Sequence, residues 1–384
     1  MKYLLVYGYS MKNAGDFAIT LGTIDYFHSR GHEIDVLSKD CVNDVNYVKS
    51  EKYLKNRYHD ISIYPNKFKL RRKNKLLLLI DYTIGFFKTI FCCHRRYYKT
   101  LFNRYDSILF GGGNILRGES FHDYIRLRAM VYPLRFAKNK PIYILPSSTS
   151  NTNTMCKRII GRLIGESETC FVREKESFER FLAMYPIFAD KFLLGIDMAF
   201  YAISGGEQNP IKQPSKEEGE IGITIRAKTI GDLYDFSSDK KMQITQDILS
   251  FIKCNKHRKF KFIVQTNEDK KLTYEIFMKS QALGYQVNYI ESFDPIELIN
   301  LYSNIDCLVA MRLHSAILCL VSGRPVIGYF DKSWGFKNPG LMKWFNMPYS
   351  YLGDGIVFNK KSLAAFNSAL ATSTANIDSV FMSS

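Results

Sequence analysis

Paired cysteine spacings are missing from this sequence: its eight cysteines, at 41, 92, 93, 156, 170, 254, 307 and 319, form no C-x-x-C. That argues against a zinc ribbon or a disulfide framework and fits a reducing cytoplasm. Long apolar runs are missing too. The closest approach to a membrane span, Leu76 to Cys93, is interrupted by Asp81 and Lys88, so no transmembrane helix is expected. The N-terminal Met1-Lys2-Tyr3-Leu4-Leu5-Val6-Tyr7 is short, with no small-residue cleavage site after it, and reads as a strand instead of a signal peptide. There is no G-x-G-x-x-G loop, no internal repeat, no low-complexity tract and no recognisable nucleic-acid module, so nucleic acid is not an expected partner.

Acidic residues are comparatively scarce. Lys and Arg number 53 against 37 Asp and Glu, a formal net charge of +16 that favours anionic partners such as acidic lipid headgroups or phosphorylated small molecules. The excess is uneven: residues 67–99 contain ten Lys/Arg and one acid, Asp81. Two readings of that segment stay open. It is an amphipathic helix covering a sheet with a solvated basic end, or an interfacial patch giving peripheral contact with an anionic membrane, at the inner face of the plasma membrane.

What is present is an alternation of strands and helices. Strand-like runs lie near 3–7, 33–38, 61–64, 107–110, 141–145, 169–172 and 192–194, with helical patterns at 14–29, 121–137 and 175–184. A polar, breaker-rich stretch at 203–219 reads as a linker. A second alternation follows, with strands near 221–226, 260–265, 286–290, 305–310 and 324–328 and helices at 240–254, 268–282 and 295–303. A chain of 384 residues exceeds one ordinary core. The expected fold is therefore α/β: two Rossmann-like domains whose parallel sheets face a cleft. Residues 1–202 form the first, 220–340 the second, and 341–384 a tail packing back across both.

The most informative stretch is Arg312-Leu313-His314-Ser315-Ala316-Ile317, then Gly323-Arg324-Pro325-Val326-Ile327-Gly328. The run Ile305–Ala310, broken only by Asp306, reads as a buried parallel strand leading into an apolar helix. A helix N-terminus presents unpaired N–H groups to an anion. Arg312 and His314 add a cation and a titratable proton. Three other strand ends look chemical. Asn13-Ala14-Gly15-Asp16 opens the first helix and equally fits a turn with a cap. Gly111-Gly112-Gly113-Asn114 follows Ser107–Phe110 and fits a close backbone approach or a sharp turn. Thr224-Ile225-Arg226 ends the first strand of the second domain, with Arg226 poised over the cleft or simply solvated or ion-paired.

Taken in order, Asn13-x-Gly15-Asp16, Gly111-Gly112-Gly113, Val172-Arg173-Glu174, Asp197-Met198-Ala199-Phe200, Ile225-Arg226 and Arg312-Leu313-His314-Ser315 resemble the polysaccharide pyruvyl transferases, over roughly Lys2 to Lys337. The resemblance implies a GT-B-like fold and transfer of pyruvate from phosphoenolpyruvate to two hydroxyls of one glycan sugar, with phosphate released. It implies donor contacts from Arg226, Arg312, Leu313, His314, Ser315 and Lys332. Asn13, Gly15, Asp16, Gly112, Gly113 and Asn114 would line the acceptor side, with His314 and Asp16 as catalytic residues. Two departures concern the acceptor: the basic 67–99 segment, and the missing proline after Asp197. Phosphoenolpyruvate is the expected co-substrate, with no metal or other cofactor, and the glycan acceptor is a candidate lipid-linked molecule. A GT-B nucleotide-sugar glycosyltransferase is the alternative.

Overall fold

The computed structural model describes residues 1–67, 75–202, 219–228 and 235–382, leaving aside the side chains of residues 75–79, 81 and 82. Along the first part of the chain run β1 (Lys2–Gly8), α1 (Ala14–His28), β2 (Glu33–Ser38), α2 (Val45–Arg57), β3 (Ile63–Tyr64), α3 (Lys75–Ile90), α4 (Arg95–Phe102), β4 (Ser107–Phe110), β5 (Gly113–Gly118), α5 (Phe121–Val131), β6 (Ile142–Thr152), α6 (Thr154–Glu166), β7 (Thr169–Val172), α7 (Lys175–Met184) and β8 (Phe192–Leu194). Then come β9 (Glu220–Thr224), α8 (Ser238–Cys254), β10 (Phe260–Val264), α9 (Lys270–Ala282), β11 (Val287–Glu291), α10 (Pro295–Ser303), β12 (Ile305–Ala310), α11 (Leu313–Val321), β13 (Val326–Phe330), α12 (Lys337–Trp344), β14 (Tyr349–Tyr351) and α13 (Ala364–Phe381).

The chain divides into two units. One comprises Met1–Met11, Thr23–Met198 and Ser373–Ser384, the other Lys12–Gly22 and Ala199–Thr372. The opening turns of α1 therefore group with the second unit. The segment expected as a linker lies, apart from Gly219, outside the described residues.

Each unit is built on a parallel sheet. In the first, eight strands are described, in the order β3-β2-β1-β4-β6-β7-β8 with β5 pairing on β6. In the second, six run β11-β10-β9-β12-β13-β14. Strands covered on both faces need apolar side chains on both, which is why they read as unbroken hydrophobic runs. All of β4, β12 and β13 is buried. Helix starts follow local chemistry. Ser120 and Asp123 form a reciprocal capping box for α5, and Asp294 accepts from two amides ahead of Pro295 in α10.

Several expected boundaries shift. The helix expected to reach residue 137 ends at Val131, and a 3-10 turn, Tyr132–Phe136, takes over at Pro133, which has no N–H to continue the ladder. The strand expected at 324–328 starts two residues later, after Pro325. The strand expected at 221–226 ends at Thr224, leaving Arg226 beyond it. Beyond residue 340, β14 completes the second sheet and α13 supplies Phe381 to the first unit's core. There its ring lies 4.9 Å from Tyr143, 5.0 Å from Phe27 and 5.9 Å from Tyr3 and Phe171.

Asp306, the acid inside β12, is matched by two cations. Arg258 and Lys360 each approach its Oδ2 at 3.0 Å. Burial pushes this carboxyl up, but hydrogen bonds and charge from Lys360 and Arg258 outweigh it and hold it below the usual carboxylate range. A depressed folded-state pKa contributes stability above the unfolded value, and that contribution is lost as pH falls through the folded one. Asp306→Asn is expected to lower unfolding free energy at neutral pH by about 3 kcal/mol. In urea titrations the difference from the parent should narrow below about pH 4; a constant difference would deny the carboxylate this role.

Candidate active site

Parallel pairing sets the site in the second unit. Ala310 of β12 pairs with Thr224 of β9 on one side and Gly328 of β13 on the other. The three chains leave the sheet at one edge, carrying Arg226, then Arg312 and His314, then Asp331 and Trp334. Ligands of open α/β sheets bind at such carboxyl edges.

Arg312 is the extended residue before α11, and only 6% of its surface is exposed. Its Nε and Nη2 both donate to the carboxylate of Asp269, the latter at 2.9 Å, forming a forked ion pair. Asp269 is 1% exposed and precedes α9, and its Oδ1 also accepts the Ala227 N–H at 2.9 Å. One carboxylate thus ties together the segments following β9, β10 and β12. Sequence reasoning missed Asp269, because Asn267-Glu268-Asp269-Lys270-Lys271 reads as a solvated first turn. The guanidinium fork expected to grip a donor is engaged by this partner.

His314 sits in the first turn of α11, with its side chain 14% exposed and Nδ1 3.8 Å from Asp16 Oδ1. That is ion-pair distance for a protonated ring, and longer than a hydrogen bond. A Cβ built on Gly15 would lie 2.3 Å from His314 Cβ and 2.8 Å from Nδ1, so only glycine lets the start of α1 approach this histidine. Asn13 supplies the cap: its Oδ1 accepts from Gly15 N at 2.9 Å and Asp16 N at 3.4 Å. Asn13 thus caps the start of α1, as the turn-and-cap reading of this motif expects, and the structure brings that start against His314.

Arg226 is partly buried, donates from Nε to the Lys228 carbonyl at 2.8 Å, and lies 5.1 Å from the Trp334 ring centroid. Among the described residues the buried Thr224 Oγ1 and Trp334 Nε1 have no hydrogen-bond partner. A buried polar atom without a partner is costly unless something else satisfies it. Thr224 belongs to the strand end Thr224-Ile225-Arg226 that the sequence marks as chemical, whereas nothing in the sequence marks Trp334. Ser315 is fully buried, and Leu313 partly so. Lys332 is not gathered in. Its side chain is 70% exposed and reaches toward Asp354 at 4.0 Å and the Tyr351 ring at 5.4 Å.

Gly112, Gly113 and Asn114 belong to the first unit. Gly111, Gly112 and Gly113 all have positive φ, at 54°, 139° and 74°, conformations that side chains resist. A Cβ on Gly111 would lie 1.8 Å from Ile115 Cδ1, and the Gly112 carbonyl accepts from the Tyr9 hydroxyl at 3.0 Å. The close neighbour seen here is the chain itself. The same unit holds a buried polar cluster. Arg173 pairs with Asp197 and with Glu174 at 3.5 Å, while Ser148 donates to Glu174 Oε2 at 2.7 Å and Ser177 to Oε1. Burial pulls the Arg173 guanidinium down, but Asp197 and Glu174 outweigh it and keep it charged.

Two parallel-sheet units, the second bearing a histidine and two arginines at its carboxyl edge, have a GT-B-like α/β fold. Solved structures with this fold include the UDP-GlcNAc 2-epimerase of Methanocaldococcus jannaschii, with a TM-score of 0.55 at 10% identity, covering 98% of this chain and 92% of that one. The Neisseria meningitidis UDP-GlcNAc 2-epimerase, bound to UDP-GlcNAc, gives 0.51 at 13% identity over 98% and 92%. The chain belongs to the polysaccharide pyruvyl transferase family, whose model matches residues 13–329. It is similar to the amylovoran biosynthesis protein AmsJ of Erwinia amylovora, 22% identical across 91% of this chain and 87% of that protein.

Removing Asp269 strands a buried cation. Asp269→Ala is therefore expected to cost about 3–5 kcal/mol of stability, Gly15→Ala about 1–3 kcal/mol through overpacking on His314, and Lys332→Ala less than about 0.5 kcal/mol. Chemical denaturation ranks the three. A benign Asp269→Ala would contradict the tie between the strand ends.

Proposed function

We propose that the chain transfers pyruvate from phosphoenolpyruvate to two hydroxyls of a glycan sugar, forming a cyclic ketal and releasing phosphate, in cell-surface polysaccharide synthesis. The observation that carries the reading is His314 in the first turn of α11, two residues beyond Arg312 and 3.8 Å from Asp16. Membership of the pyruvyl transferase family supports it.

Phosphoenolpyruvate presents a carboxylate and a phosphate. The amides at the start of α11 and the Arg226 guanidinium suit those oxyanions. Arg312 and Asp269 together are formally neutral, so Arg226 and the helix end carry more of the attraction than the sequence implied. Protonation of the methylene carbon by His314 gives an oxocarbenium-like centre, which the first sugar hydroxyl attacks. The carbon–oxygen bond to phosphate then breaks, and the second hydroxyl closes the ketal. Of the two hydroxyl protons released, one replaces the proton used at carbon and the other leaves on phosphate. Asp16 faces Nδ1 and orients the ring for that transfer. As proposed, the reaction uses phosphoenolpyruvate as co-substrate and no further cofactor; the acceptor is a glycan, free or lipid-linked.

Incubation with phosphoenolpyruvate or UDP-sugars and glycan acceptors tests the reading: phosphate release supports it, and UDP release in its place refutes it. His314→Ala should lose about two to four orders of magnitude in turnover. His314→Gln should restore donor binding better than rate. Single-turnover rates on variants of unchanged melting temperature decide, and a near-normal rate in His314→Gln would remove the histidine from the acid role.

A further inference from the structure

The geometry points to the outward face of α3 as a docking surface for an anionic lipid bilayer, independently of the reaction proposed above. One face of this helix packs inside the first unit. Gly85 and Thr89 are buried, Arg128 of α5 donates to Thr89 Oγ1 at 2.7 Å, and its guanidinium lies 5.0 Å from the Phe86 ring centroid. The opposite face carries Ile80, Ile84, Phe87 and Phe91, at steps of four, three and four residues, which are 45%, 47%, 51% and 73% exposed. Ile90, 46% exposed, widens the stripe. At the helical rise it extends about 16 Å. The Phe87 and Phe91 rings stack, with centroids 6.3 Å apart. Single exposed apolar residues are ordinary, whereas an aligned row of them marks an interaction site.

Charge chooses the occupant. Residues 83–99 contain Lys88, Arg95, Arg96 and Lys99 and no acid, and the last three are exposed on α4. An apolar row followed closely in the chain by exposed cations matches a helix lying in the interface of an acidic bilayer, with rings and branched chains among the acyl tails and cations at the headgroups. A second copy of the chain would bring these cations against themselves, which disfavours self-association through this face. Among the described residues no helix is long and apolar enough to cross a membrane, so the contact is a docking one.

Co-sedimentation of the full chain with vesicles tests this, using phosphatidylcholine alone and phosphatidylcholine mixed with phosphatidylglycerol. Binding should require phosphatidylglycerol and weaken with salt. Phe87→Asp and Phe91→Asp should each reduce it roughly tenfold, and Arg95→Glu with Arg96→Glu by at least as much. Both aromatic positions are exposed, so unchanged melting temperatures are expected and separate lost docking from lost folding. No binding to the acidic vesicles at low salt would overturn the inference. So would equal binding to both compositions, or binding that ignores the substitutions. Concentration-dependent self-association abolished by Phe87→Asp would also overturn it, by assigning the face to a second copy.

Discussion

The second unit depends on one buried carboxylate. Asp269 holds both Arg312 and the Ala227 amide, so the chains leaving β9, β10 and β12 share a single anchor. Parallel pairing alone brings strand ends to one edge but leaves the loops beyond them free to splay. A buried ion pair is costly to form and more costly to break, since losing either member strands the other's charge. That asymmetry suits a group whose job is position. Arg312 fixes where α11 begins, and hence where the His314 ring and the α11 amides stand.

The sheets were legible in the sequence because covered parallel strands leave continuous apolar runs between turn residues. Ser107–Phe110 and Ile305–Ala310 are clear cases. The missed strands lack that signature. β5 begins within the glycine run, and β14 is three half-buried residues, Tyr-Ser-Tyr. Of the residues that the structure gathers near the start of α11, His314, Asp16, Gly15 and Asn13 stand out in the sequence, because strand-to-helix junctions announce themselves. Asp269 and Trp334 do not, and Thr224 stands out only as part of the strand end Thr224-Ile225-Arg226. Their importance comes from which strands neighbour one another, and adjacency in a sheet of order β11-β10-β9-β12-β13-β14 is not written in local spacing. Lys332 comes from the family resemblance, and its side chain stands largely in solvent.

Buried charge is satisfied in more than one way. In the second unit, Asp306 is answered by two cations and Asp269 by one. In the first, a single buried cation, Arg173, faces two acids, with Ser148 and Ser177 donating to Glu174. Hydroxyl donors stand there in place of a second cation, satisfying carboxylate oxygens without adding another charge to desolvate.

The placement of Phe381 bears on how the protein is made. The ring fills a space among Tyr3, Phe27, Tyr143 and Phe171, and α13, which carries it, starts in the other unit. Domains usually fold in the order they leave the ribosome. Here the unit that emerges first lacks part of its core until nearly all the rest has been translated. Its β1 and α1 are therefore obliged to wait with aromatic surface uncovered, and a nascent chain stalled before α13 would be a natural client for a chaperone.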